Sequence, residues 1–236
     1  MRGRREEWSR SALLLLGGSL WLAAQVQAAE RASRCTGVAP VAAMVSGADA
    51  ADFASACEGV RDALGFLARL DLALPEQLSI HVADRLPPDL RADAVGCYSI
   101  ATRRISVLSS REFLARGRWF GVPTSRPLYR SIVAHEVAHA VIGCHLAGRR
   151  LPTAAHEYAA YVVMFATMDA EVREQALAAW PPSGLVADSN FNDLTYVLDP
   201  MSFGVAAYRH WQRQPDGAAF LRRVIAGDVV PDLGTM

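Results

Sequence analysis

Between Leu128 and about Leu146, an Ala- and Val-rich stretch with helical periodicity carries His135-Glu136-Val137-Ala138-His139. No other feature constrains the fold as strongly. Histidines four residues apart on a helix project only about 40° from each other, so both imidazoles face one point. Zinc takes such neutral nitrogen ligands at roughly 2.0 to 2.1 Å, and the adjacent Glu136 reaches a water on the metal without ligating the metal itself. Two histidines leave a catalytic zinc one protein ligand short. The fold must bring the third from another element.

Three downstream residues are candidates. Glu157, 18 residues after His139, falls one turn into a second helix that is read from Pro152 toward about Trp180, with Thr153 as its N-cap. An antiparallel helix pair joined by the Gly148 to Pro152 connection would return Glu157 over the first helix. His145, six residues after His139, has the third-ligand spacing of the longer pattern H-E-x-x-H-x-x-G-x-x-H, but Ile142 stands where that pattern needs Gly for a left-handed turn. On a helix continuing to Leu146, His145 lies about 240° around the axis from His139 and points elsewhere. His156 neighbours Glu157 and would project about 100° away from it. His135, His139 and Glu157 are therefore the expected zinc ligands and Glu136 the expected general base.

On His135, Glu136, His139 and the segment His156-Glu157-Tyr158-Ala159-Ala160-Tyr161, residues 95–170 resemble the zincin metallopeptidases. Within them the likeness is to the gluzincins, in which a Glu on a second helix completes the site, and to small exported bacterial proteins of this type with no assigned substrate. The resemblance implies a single α+β domain with a small mixed sheet, an active-site helix and a following helix that carries the third ligand. It implies too that a strand before the first helix rims the substrate cleft, a place taken here by the stretch from Arg104 to Leu108. Many gluzincins use an Asp four residues after the third ligand to orient a histidine; this chain has Tyr161 there. Asp199-Pro200-Met201-Ser202 imitates the Met-turn of another zincin class.

A zinc ion at such a site brings the pKa of its water near 7 and polarises a carbonyl, and Glu136 takes the proton. The expected reaction is hydrolysis of a peptide bond in a peptide or protein substrate. Tyr208 and His210, on a helix read from Ser202 to Gln212, are candidate oxyanion donors, although core tyrosine and surface histidine are the commoner roles of such residues. One rival is a catalytically inactive zincin-fold protein that holds metal and binds a partner in the cell envelope. Glu136 argues against it, because metal holding alone has no use for a base at that position. A second rival is a purely structural exported domain stabilised by disulfides.

The remainder of the chain sets the compartment and the scaffold. Arg2, Arg4 and Arg5 precede an uncharged Leu-rich run from Ser11 to about Val26, and Val26-Gln27-Ala28 offers small residues for a signal peptidase. Residues 1–28 therefore read as an export signal and 29–236 as one domain, periplasmic or secreted, touching a membrane only through that signal. About 16 apolar residues fall short of the roughly 20 that a spanning helix needs. Four cysteines in an exported chain point to two disulfides, read as Cys35–Cys57 and Cys97–Cys144. The 24 basic and 24 acidic residues cancel, so no basic field for nucleic acid exists. Helical periodicity runs from Asp49 to Leu70, Leu78 to Val82 alternates as a strand, and Val95 to Ile100 can pair with Arg104 to Leu108 as a hairpin. Gly117 to Pro127 reads as an irregular loop with an aromatic tip, and Ala218 to Ala226 as a last helix.

Overall fold

The structure, a computed structural model, describes residues 32–182 and 187–229. The export signal read over 1–28 lies outside the described residues. The fold is mixed α+β. Five strands form one sheet in the order β1 (Ser33–Arg34), β2 (Ala42–Ser46), β3 (Gln77–Ala83), β5 (Arg104–Leu108) and β4 (Gly96–Ser99). The pairs β2–β3 and β3–β5 are parallel, and the outer pairs β1–β2 and β4–β5 are antiparallel. The expected hairpin of β4 and β5 forms, with Arg103 at φ 52° in its turn.

Alternation gives this sheet two different faces. Val45, Ile80 and Ile105 lie in register with Tyr98 on one face, while Ser46, His81 and Ser106 lie in register with Cys97 on the other. The apolar row is the one covered by helices. Helix α1 (Ala50–Leu67), capped by the Asp49 carboxylate, links the parallel strands β2 and β3 and packs on β2. After α2 (Ser110–Ala115) comes α3 (Arg126–Leu146), which lies against α1 and against β4 and β5. Ser125 accepts from the Leu128 N–H to start α3, Pro127 sits in its first turn, and Ala147 in the left-handed region at φ 50° ends it.

Between α2 and α3 the stretch expected to be an irregular loop with an aromatic tip folds as a small hairpin of β6 (Arg118–Trp119) and β7 (Val122–Pro123). Its Trp119 and Phe120 are buried, with Phe120 edge-on to Tyr161 and Phe165. Helix α4 (Thr153–Thr167) packs against α3 through a short connection, but it stops well before the expected end near Trp180. Met168 is extended, and the Asp169 carboxylate accepts from the Glu171 and Val172 N–H groups to start a separate α5 (Ala170–Ala179). The periodicity spans that break because the cap is local. Thr153 is not the N-cap of α4 either; Pro152 holds that place and has no side-chain acceptor.

The missing cap comes from a distance. Asp193, the first residue of α6 (Asp193–Leu198), accepts from the Ala154 N–H at 2.6 Å. That bond ties α6 to the start of α4. Helix α7 (Pro200–Gln212) then packs along α4, where Gly204 lies so close to Tyr161 that a Cβ would approach its ring to 2.7 Å, and α8 (Gly217–Ala226) closes the helical layer.

Cys35 and Cys57 form the expected disulfide between the N-terminal segment and α1. Closing a loop of this size is worth about 3 kcal/mol in the chain-entropy model. Cys97 and Cys144 are free, which corrects the second expected bridge. Gly96 and Tyr98 face α3, so Cys97 between them points to the opposite side of the sheet from the helix bearing Cys144.

Candidate metal centre

His135 and His139 project from the middle of α3, and their Nε2 atoms lie 3.1 Å apart. Glu157, in the second turn of α4, places Oε2 at 3.5 Å from His135 Nε2 and Oε1 at 3.5 Å from His139 Nε2. Ligand atoms about 2.05 Å from a tetrahedral zinc stand roughly 3.3 Å from one another. The triangle therefore has the size that such an ion needs. His135, His139 and Glu157 form the one cluster of this kind among the described residues. The other two candidates lie apart from it. His145 Nδ1 accepts from the Ala73 N–H beyond α1, and His156, though it lines the same cleft, keeps its ring centroid 5.9 Å from that of His139.

Charge in the cluster suits cation binding. Burial works to raise the Glu157 pKa, but the nearby His139 and His135, with a hydrogen bond from Tyr196, hold it below the ordinary carboxylate value. Burial pushes His139 down to about 3, so that imidazole is neutral. Burial opposes the charge on His135 too, yet its contact with Glu157 raises its pKa overall. Glu157 ionised and His139 neutral are the ligating forms, whereas the shift on His135 favours the protonated ring that a metal must displace.

Glu136 points from α3 toward β4, where Gly96 leaves room for its carboxylate. Its Oε2 is buried and has no hydrogen-bond partner among the described residues. Burial raises its pKa to about 7, with His135 working against this and Glu157 adding to it. A carboxylate poised near neutrality takes and returns a proton readily.

Tyr161, four residues after Glu157, meets His135 by packing. Tyr161 lays its ring 4.7 Å from that of His135, and Gly204 and Phe203 back Tyr161 from α7. Among the described residues His135 Nδ1 has no hydrogen-bond partner. Tyr208 and His210 do not reach the centre. Tyr208 stacks on Phe165, and His210 is buried against Tyr158, Phe191 and Phe220, so neither is an oxyanion donor. Tyr196 of α6 stands in the cleft instead, hydrogen-bonded to Glu157, with burial and the Glu157 charge keeping its hydroxyl protonated. No sequence motif marks Tyr196, because α6 carries none.

These groups line a cleft of about 650 Å³ that follows α3. Trp119, Phe120 and Ile132 lie at the end nearer the start of α3, and Tyr98, Gly143 and Arg149 at the end nearer its finish. The strand beside the cleft is β4. Arg104–Leu108, expected at the rim, is interior because the chain runs out to the edge first and returns through β5 between β3 and β4.

The family of unknown function DUF6639 matches residues 43–234, most of the chain, and the chain belongs to that family. No curated protein and no solved structure matches it.

Proposed function

We propose that this DUF6639 chain is a zinc-dependent hydrolase of gluzincin type, acting on peptide bonds in an exported compartment. The observation that carries the reading is the pair of Nε2 atoms of His135 and His139, 3.1 Å apart, each 3.5 Å from its own oxygen of the Glu157 carboxylate, with Glu136 Oε2, unpartnered among the described residues, beside them. The edge position of β4 and the order sheet, α3, α4 support the gluzincin likeness. The Cys35–Cys57 bridge supports an oxidising compartment.

A zinc ion held by His135, His139 and Glu157 supplies Lewis acidity, lowering the pKa of water and polarising the scissile carbonyl. Glu136 accepts the water proton on its free oxygen and hands it to the departing amine. Its raised pKa suits both transfers. Tyr196, whose hydroxyl stays protonated, donates its one proton to the Glu157 carboxylate and so fixes that ligand. The outer edge of β4 offers backbone groups with which an extended peptide can pair.

The test measures zinc content and cleavage of a mixed peptide library. Wild type should hold one zinc per chain and cleave peptides. Glu136→Gln should keep the zinc and lose roughly 100-fold or more of the rate. Metal-free wild type, or a fully active Glu136→Gln, would overturn the reading.

A further inference from the structure

The charges along the cleft do not cancel at its far end. Glu136 and Glu157 belong to the metal centre, and Arg91 is held by Asp93 at 3.1 Å. Arg149 and Arg150, in the connection between α3 and α4, also line the cleft. Both are exposed, and neither makes an ion pair with any described residue. Compensation of the α3 dipole does not account for them. That role asks for a cation in the last turn, and the left-handed Ala147 ends the helix before either arginine.

A third arginine lies near this end of the cleft without lining it. Tyr98 of β4 packs over Gly143 of α3, and Arg103 in the turn after β4 is close enough to favour the ionised form of the Tyr98 hydroxyl, against the burial that disfavours it. Arg103 is likewise without an ion pair among the described residues. Tyr98, Ile100 and Leu151 supply apolar surface to the cleft that Arg149 and Arg150 line. A guanidinium fork recognises a carboxylate bidentately, and two forks on adjacent residues beside an apolar wall suit a chain that bears one.

We infer that Arg149 and Arg150 form an anion-recognition subsite at the end of the cleft, so that the preferred substrates are peptides carrying a carboxylate there, as an Asp or Glu side chain or a free C-terminus. This deepens the peptidase reading and rests on it for the identity of the chain bound. Recognition of the carboxylate itself needs no turnover and is measured separately.

Labelled peptides that differ only as Asp against Asn, or as free against amidated C-terminus, are titrated into zinc-supplemented Glu136→Gln protein and followed by fluorescence anisotropy. One of the two carboxylate-bearing series should bind about tenfold more tightly than its neutral twin, with the difference shrinking as salt is raised. The series that shows the difference identifies the carboxylate source. An Arg149→Gln/Arg150→Gln pair made in that background should bind both twins alike with unchanged zinc content, and Arg222→Gln on the outer face of α8 should keep the preference. Equal binding of the twins, no binding of any peptide, or a preference that survives the double arginine change would overturn the inference. Preferential binding together with a wild type that cleaves nothing would sustain the subsite and remove the hydrolase reading.

Discussion

Gly96 and Glu136 are packed so closely that a Cβ on Gly96 would stand 2.6 Å from Glu136 Oε1. Strand β4 therefore lies against α3 only because position 96 has no side chain, and the same closeness buries the carboxylate and raises its pKa to about 7, burial being the largest cause. Gly96→Ala should push the Glu136 side chain aside while leaving the three ligands in place. Zinc content should remain at one per chain, and peptide turnover should fall at least tenfold, part of the roughly 100-fold that a positioned base contributes. A Gly96→Ala protein with wild-type turnover would show that the carboxylate does not need this position.

Metal affinity separates the ligand candidates. Glu157→Ala removes a carboxylate 3.5 Å from both histidine nitrogens and should weaken zinc binding at least 100-fold, more than loss of a group outside the ligand set. His145→Ala should leave zinc affinity unchanged and cost about 1 kcal/mol of stability, because its Nδ1 accepts from the Ala73 N–H. Competition titration against a chelator of known affinity measures both. The reverse pattern would reassign the third ligand.

Tyr196→Phe keeps the ring and deletes the hydrogen bond to Glu157. Loss of a partner outside the ligand set typically costs roughly tenfold in metal affinity. The variant should show that loss and a lower kcat, with its melting temperature nearly unchanged, since the ring still fills its place. Unaltered metal affinity would separate Tyr196 from the centre.

What was legible in the chain and what was not divides along a physical line. The spacing of His135 and His139 is a property of one helix, so it could be read directly. Glu157 was within reach because a short connection between two helices leaves few ways to fold back. Tyr196 was not, because its helix is placed by the bond from the Ala154 N–H to Asp193, a contact across 39 positions that no periodicity announces. The free Cys97 follows the same rule from the other side. Its distance along the chain from Cys144 is compatible with a bridge, but the pleat decides which face of β4 it occupies, and Gly96 and Tyr98 take the face toward α3. The swapped places of β4 and β5 likewise depend on sheet order, which a hairpin pattern alone leaves open.

His210, remote from the metal centre, makes stability depend on pH. It is buried among Tyr158, Phe191 and Phe220, with the Tyr158 hydroxyl 2.8 Å from Nδ1 and Asp188 Oδ1 3.1 Å from Nε2. The neutral ring with its proton on Nε2 satisfies both, donating to Asp188 and accepting from Tyr158. Burial is the main force lowering its pKa, and Asp188 only partly offsets it. A folded-state pKa below the unfolded value means that the folded protein prefers the neutral ring. The stability this confers is fully present above the ordinary histidine value of about 6.5 and is lost as pH falls through the lower folded-state pKa. Denaturant midpoints of metal-free protein, measured from about pH 7.5 down to about pH 5, should therefore fall more steeply for wild type than for His210→Gln, which does not titrate there. The zinc ligands titrate in both proteins and drop out of the comparison. Parallel slopes would mean that His210 protonates without cost and that its burial does not govern acid sensitivity.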